Sequence, residues 1–269
     1  MTICVSVKVA EGLVLAADSA VMLSGTIRTP QGEAEGIIQT FQYANKVTRF
    51  KDYPIGIMNW GSGSIGDRSL QSLIMEFEYG YESKAKNKLY NVKMIADELL
   101  LFIKKRYDAA YQTEIKPQLG LFIGGYSADK FFPDTLFYNF PQSKKWEEVR
   151  PDNPDGRPSF GSNWFGQIDA LVRLFKGYDF ESLEVLVKRG VDEKIIEKWV
   201  QDAVSELLII FDGMPLQDAI DYAEYAVQVV IGRFRFGPGP PLCGGDIDIA
   251  VVTPNNFEWA KRKLWAIKE

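Results

Sequence analysis

Histidine is absent from all 269 residues of this chain, and only two cysteines occur, Cys4 and Cys243. The first absence excludes Ser–His–Asp and Cys–His hydrolases and any zinc site held through imidazole. Two thiols cannot form a Cys₄ site or a disulfide framework, and they suit a reducing cytoplasm. No metal and no cofactor is therefore expected. Basic residues are in deficit, 31 against 36 acidic ones, giving a net charge of −5 and a pI near 5.1. That balance argues against nucleic acid and anionic lipid as partners. Long apolar runs are missing too; the longest are short pieces such as "LLIIF" (207–211), so no membrane span is expected. The opening residues lack a basic stretch followed by an apolar core, so no signal peptide is expected either. The expected location is cytoplasmic. Proton transfer in such a chain falls to Asp, Glu, Lys, Tyr or a terminal amine.

With 46% hydrophobic and 25% charged residues, the composition is that of a folded globular protein, read as one domain over 1–269. "TICVSVKV" alternates with period two: Ile3, Val5, Val7 and Val9 face one way, and Thr2, Cys4, Ser6 and Lys8 the other. A turn at Glu11-Gly12 and the apolar "LVLAA" complete a hairpin that ends at Asp18. "SGTIRTPQGEAEG" (24–36) reads as a polar loop, followed by strands at "NKVTRF" and "PIGIMNW". A Gly/Ser turn feeds a first helix through Leu70, Leu73, Ile74 and Phe77, and a second helix covers 91–111. Two more strands fall within 119–140, and a proline-rich loop within 147–158. Helical patterns then run from about Phe165 to Phe234, and "DIDIAVVTP" is the last strand. Strands in hairpins and helices in pairs predict a layered α+β fold rather than a parallel sheet.

Removal of Met1 would leave Thr2 with a hydroxyl and a free α-amine of pKa ~7.7–8.0, able to serve as base for its own hydroxyl. Six further residues stand out, each with a plainer alternative. Asp18 closes a strand and suits a turn. Lys46 suits a solvated strand position. Gly63, Gly66 and Asp67 in "GSGSIGD" suit a turn and helix start. Ser162 in "FGSNW" suits a helix N-cap.

Taken together, these segments resemble the N-terminal-nucleophile hydrolases of the proteasome β-subunit type. "TICVSVKVAEGLVLAADS" is similar to that family's opening, with a nucleophilic threonine and an aspartate sixteen residues on, here Thr2 and Asp18. "NKVTRF" resembles the segment carrying the family's lysine, here Lys46. "GSIGD" resembles the family's G-x-x-G-D, whose first glycine supplies an oxyanion amide, here Gly63. "LFIGGYSADKFFPDTLFYNF" resembles the central hairpin. "FGSNW" resembles the turn whose serine lies near the nucleophile, here Ser162, and "GGDIDIAVVTP" resembles the closing strand. The resemblance implies a four-layer αββα sandwich of two antiparallel sheets with outer helices.

Departures are present. Pro240 and Cys243 stand where core proteasome members carry an aspartate and a serine. The Asp18–Lys46 stretch is longer, and a helical insertion is expected near 179–212. These features place the resemblance on a bacterial HslV- or Anbu-like branch.

The resemblance implies a threonine-type peptidase acting on peptides or unfolded proteins in a self-compartmentalising homo-oligomeric ring or stack, with an ATPase as a further partner. Two other readings stay open: a catalytically silent scaffold, and a non-peptide amidase of the same superfamily. Cys4 shares the face of Thr2, but its expected role is that of a small wall residue. The helix faces at 72–81 and 222–234 carry more apolar surface than one core uses and are expected between subunits.

Overall fold

The computed structural model describes residues 2–29, 32–82, 90–114, 116–128, 130–203 and 207–263. The strands are β1 (Ile3–Val9), β2 (Gly12–Ala17), β3 (Val21–Thr29), β4 (Gly32–Phe41), β5 (Val47–Phe50), β6 (Ile55–Gly61), β7 (Ser64–Ile65) and β8 (Arg68–Ser69). Helices α1 (Leu70–Glu82) and α2 (Val92–Ala110) follow, then β9 (Leu119–Gly125), β10 (Asp134–Phe140), β11 (Glu147–Glu148) and β12 (Gly161–Gly166). Next come α3 (Asp169–Leu171), a π-helical turn (Val172–Lys176), α4 (Phe180–Lys188), α5 (Glu193–Ala203) and α6 (Leu216–Phe236). Strands β13 (Asp248–Thr253) and β14 (Asn256–Lys261) complete the order.

Two five-stranded sheets carry the fold, ordered β12-β1-β2-β13-β14 and β11-β10-β9-β6-β5, and the pairings within each are antiparallel. The alternation of β1 sets the layering. Ile3, Val5, Val7 and Val9 pack against the α6 side, while Cys4 joins Leu13, Leu15, Met58 and Phe122 between the sheets. The outer face of the second sheet packs on α1 and α2. Four layers result, helix–sheet–sheet–helix, as an α+β sandwich requires.

Helix α2 starts where Asn91 caps it, its side chain accepting from the amides of Lys93 and Met94, and it buries Val92, Ile95, Leu99, Ile103 and Tyr107 on one stripe. Burial of each large apolar side chain is worth roughly 1.5–3 kcal/mol. Helix α6 presents small residues, Ala219, Ala223 and Ala226, to the sheet, which lets it lie close.

Five expectations need correction. The described residues of the stretch 24–36 are not loop: 24–29 lie in β3 and 32–36 in β4, a ribbon whose alternation is hidden in the sequence by glycines and by a register shift at Leu23/Ser24. Helix α1 does not follow the "GSGSIGD" turn directly, because the small β7–β8 hairpin intervenes. The 161–166 stretch is a strand, so helical structure begins after Gly166 and Ser162 caps no helix. A further strand, β14, follows "DIDIAVVTP", and Glu147-Glu148 within the proline-rich loop forms β11. The stretch read as an insertion carries α4 and α5, and α4 buries none of its residues.

Candidate functional site

Thr2 and Asp18 reach the same end of the first sheet because β1 and β2 are antiparallel, with Cys4 opposite Ala17. Lys46 comes from the other sheet, immediately before β5. Its Nζ donates to Asp18 Oδ1 at 2.7 Å, with both side chains buried, so the ion pair bridges the two sheets.

The Asp18 carboxylate is fully occupied. Oδ1 also accepts the amide of Ile3 at 3.0 Å, and Oδ2 accepts those of Ala20 at 3.3 Å and Gly244 at 3.0 Å. Three backbone N–H groups and the Lys46 side chain thus hold the Asp18 carboxylate in place. The Ile3 bond matters most for the site, since it ties the carboxylate to the residue next to Thr2. Gly244 in turn accepts from Ser19 and Ala20, and Gly245 adopts a left-handed φ of 73°, so the Gly-Gly turn before β13 clamps the Asp18 segment.

Thr2 is 4% exposed. Its carbonyl oxygen accepts the amide of Gln167 at 2.7 Å. Gly166, with φ 87°, is the residue before that contact, and a Cβ there would stand 2.0 Å from the Thr2 oxygen. Gly166 and Gln167 are thus the residues that the chain brings to Thr2 from β12. Sequence reasoning missed them. The available signal was a glycine just before a helical pattern in "WFGQIDAL".

Ser162 is not brought to Thr2. The β1–β12 register sets it opposite Val7, five residues from Thr2, a distance of roughly 17 Å at about 3.4 Å per residue. Its hydroxyl instead meets that of Tyr222 at 3.0 Å. "FGSNW" opens β12 rather than closing it, and this reverses which end of the sheet the serine occupies.

Gly63 lies between β6 and β7, against Val21, whose Cγ2 would be 3.7 Å from a Cβ at that position. Its carbonyl accepts the amide of Leu70 at 2.9 Å, while its own N–H has no acceptor among the described residues. The amide is that of a loop residue, and the loop sits against the first N–H of α1.

Both thiols adjoin the ion pair. Burial pushes the Cys4 thiol far above its ordinary range, against the opposing pull of the Lys46 ammonium, and Cys4 Sγ donates to the carbonyl of Asn59. Burial likewise pushes Cys243 up to about 12. Neither is a nucleophile at neutral pH, since the thiolate is the reactive form. Cys243 thus places an un-ionised thiol beside Asp18 where the resemblance would have a serine. Lys8, the far end of the inward row that begins at Thr2, is also buried, and burial lowers its pKa despite Asp152 at 3.5 Å.

No family model and no curated protein matches the chain. Among solved structures, it is similar in fold to a Gly-1 mutant of Anbu from Hyphomicrobium sp. strain MC1. The TM-score is 0.51 with 12% identity, over 98% of this chain and 86% of that one. At that identity the likeness is one of fold alone, the helix–sheet–sheet–helix sandwich described above. No helix among the described residues is long and apolar enough to cross a membrane.

Proposed function

We propose that this protein is a threonine-type hydrolase of peptide bonds that works with Thr2 as nucleophile once Met1 is removed. The buried Lys46–Asp18 pair beside Thr2 carries the reading. Withdrawing two charges from water costs several kcal/mol per ion, and such pairs rarely repay that cost as stability. An ammonium held at the end of the strand that starts with threonine has a use in lowering the hydroxyl's pKa, which a silent scaffold does not need.

The chemistry follows from the chain's own groups. The free α-amine takes the proton of Thr2 Oγ, and the oxygen attacks the substrate carbonyl. The Gly63 amide is the candidate donor to the developing oxyanion, a contribution of ~3–4 kcal/mol where such a donor is well placed. The protonated amine then returns its proton to the leaving amine. Water, activated by the same amine, hydrolyses the ester on Thr2. Gln167 holds the Thr2 carbonyl and so orients the attacking residue. While Met1 is attached, the Thr2 nitrogen is an amide without basicity and this sequence cannot begin. We assign peptides or unfolded proteins as substrate and a homo-oligomer as the working form, with an ATPase as a further partner.

The scaffold reading draws on the burial of Thr2 and on the absence of Ser162 from its side. Intact mass followed by fluorogenic-peptide assays separates the two. A chain lacking Met1 should hydrolyse peptides, and Thr2→Ala should abolish this while leaving the assembly intact. Equal activity in Thr2→Ala would remove the mechanism, and a processed but silent wild type would favour the scaffold.

A further inference from the structure

We propose that the cavity of about 610 Å³ along the outer edge of β12 is a binding site for an organic carboxylate with an apolar body. It lies at the Ser162 end of that strand, away from Thr2, between β12, the π-helical turn, the 207–212 segment and Tyr222 of α6. Its size falls within the roughly 300–1,000 Å³ of small-molecule sites.

The polar groups of this cavity are donors in excess. The Arg150 guanidinium makes one hydrogen bond among the described residues, from Nη2 to the carbonyl of Ser162 at 2.7 Å, although it can donate five. No carboxylate pairs with it among the described residues, and its Nε is shut off from solvent without an acceptor. The indole N–H of Trp164 lies against the Tyr222 hydroxyl, which can accept from it. The Ser162 and Tyr222 hydroxyls meet at 3.0 Å. Two hydroxyls hold two protons and their mutual bond uses one, so one is left for a ligand.

The backbone is bent to seat this guanidinium. Arg150 adopts φ 57°, a left-handed conformation unusual for a residue with a side chain. Gly161, at φ 148°, leaves the space that the guanidinium fills, since a Cβ there would lie 2.6 Å from Arg150 Cζ. Strain kept at an unpaired cation is a mark of a site rather than of packing.

The ligand must supply acceptors and a negative charge. A carboxylate does so with two coplanar oxygens that match the guanidinium fork. One cation does not neutralise a dianion, and Lys176 and Asp212, which also line the cavity, carry one charge of each sign, so a monoanion fits better than a phosphate. Phe175, Ile209 and Phe211 form the apolar wall against which the body of the acid would lie.

Titration calorimetry of the full-length protein with octanoate, and with octanamide as its neutral counterpart, tests this. Octanoate should saturate at one per chain and bind at least about ten-fold more tightly than octanamide, because only the acid pairs with Arg150. Arg150→Gln should erase that preference, and Ile209→Trp, which narrows the cavity from a surface segment, should weaken octanoate. Absence of octanoate binding, equal affinity for the two compounds, or an unchanged preference in a folded Arg150→Gln would each overturn the proposal. The comparison on the wild-type protein decides even if that variant does not fold.

Discussion

Asp18 is the residue on which most of the proposed site depends, and its partners come from distant parts of the chain: Ile3, Ala20, Lys46 and Gly244. Removing one member of such a buried pair leaves an uncompensated charge. Lys46→Met should therefore destabilise by about 3–5 kcal/mol, read from urea midpoints, in addition to any loss of hydrolysis. The thiols provide a second prediction. With Cys243 pushed up to about 12, its thiolate fraction at pH 8 is on the order of one in ten thousand. Cys4 is raised further in the same direction. Iodoacetamide at pH 8 should label neither thiol in the native protein and both in urea, as mass spectrometry would show; rapid native labelling of Cys4 would contradict its burial. Gly166→Ala is the third: its positive φ and the 2.0 Å approach to the Thr2 oxygen leave no room, so both stability and the placement of Thr2 should suffer. Thr2, Asp18 and Lys46 were legible in the sequence as residue types at telling positions. The contact of Gln167 was not, because it is made by a backbone amide that any residue could supply.

Among the elements, α2 shows how local signals suffice when they agree. A capping asparagine, a clean apolar stripe and length combine, and its limits were close to those read from the sequence. Asn91→Ala should cost about 1 kcal/mol, a drop of about 2–4 °C in Tm by calorimetry. The β3–β4 ribbon shows the opposite case. Gly25 and Gly36 pair across it, and the Ile38 and Ile27 side chains lie over them, with Cδ1 2.7 and 2.6 Å from where Cβ atoms would be. Glycines opposite one another, covered by neighbours, look like loop composition until the pairing is known. Ser162 was misplaced for a related reason, since a Gly-Ser pair marks either end of a strand equally well.

For the whole molecule, the exposed side chains are the informative feature. Met75 and Tyr79 on α1, Leu101 on α2 and Phe236 at the end of α6 stand in solvent on the single chain, Tyr79 with 83% of its surface. Apolar surface of this extent on outer helices suits contact between subunits. Sedimentation at micromolar concentration should show a particle well above 30.4 kDa. A lone 30.4 kDa species would count against the oligomeric part of the proposed function.

The sequence by itself determined the class of fold and the chemistry excluded from it. Period-two and helical patterns record which face of each segment is buried, and the absence of histidine removes the imidazole mechanisms outright. It also pointed to Thr2, Asp18 and Lys46 as a group. Only the tertiary structure decided which ends of the strands meet. The β1–β12 register sends Ser162 away from Thr2 and brings Gly166 and Gln167 to it, and Arg150 reaches Gly161 from outside that pair of strands. The reason is physical: antiparallel register is set by side-chain packing and turns across residues far apart in the chain, and no local pattern encodes it.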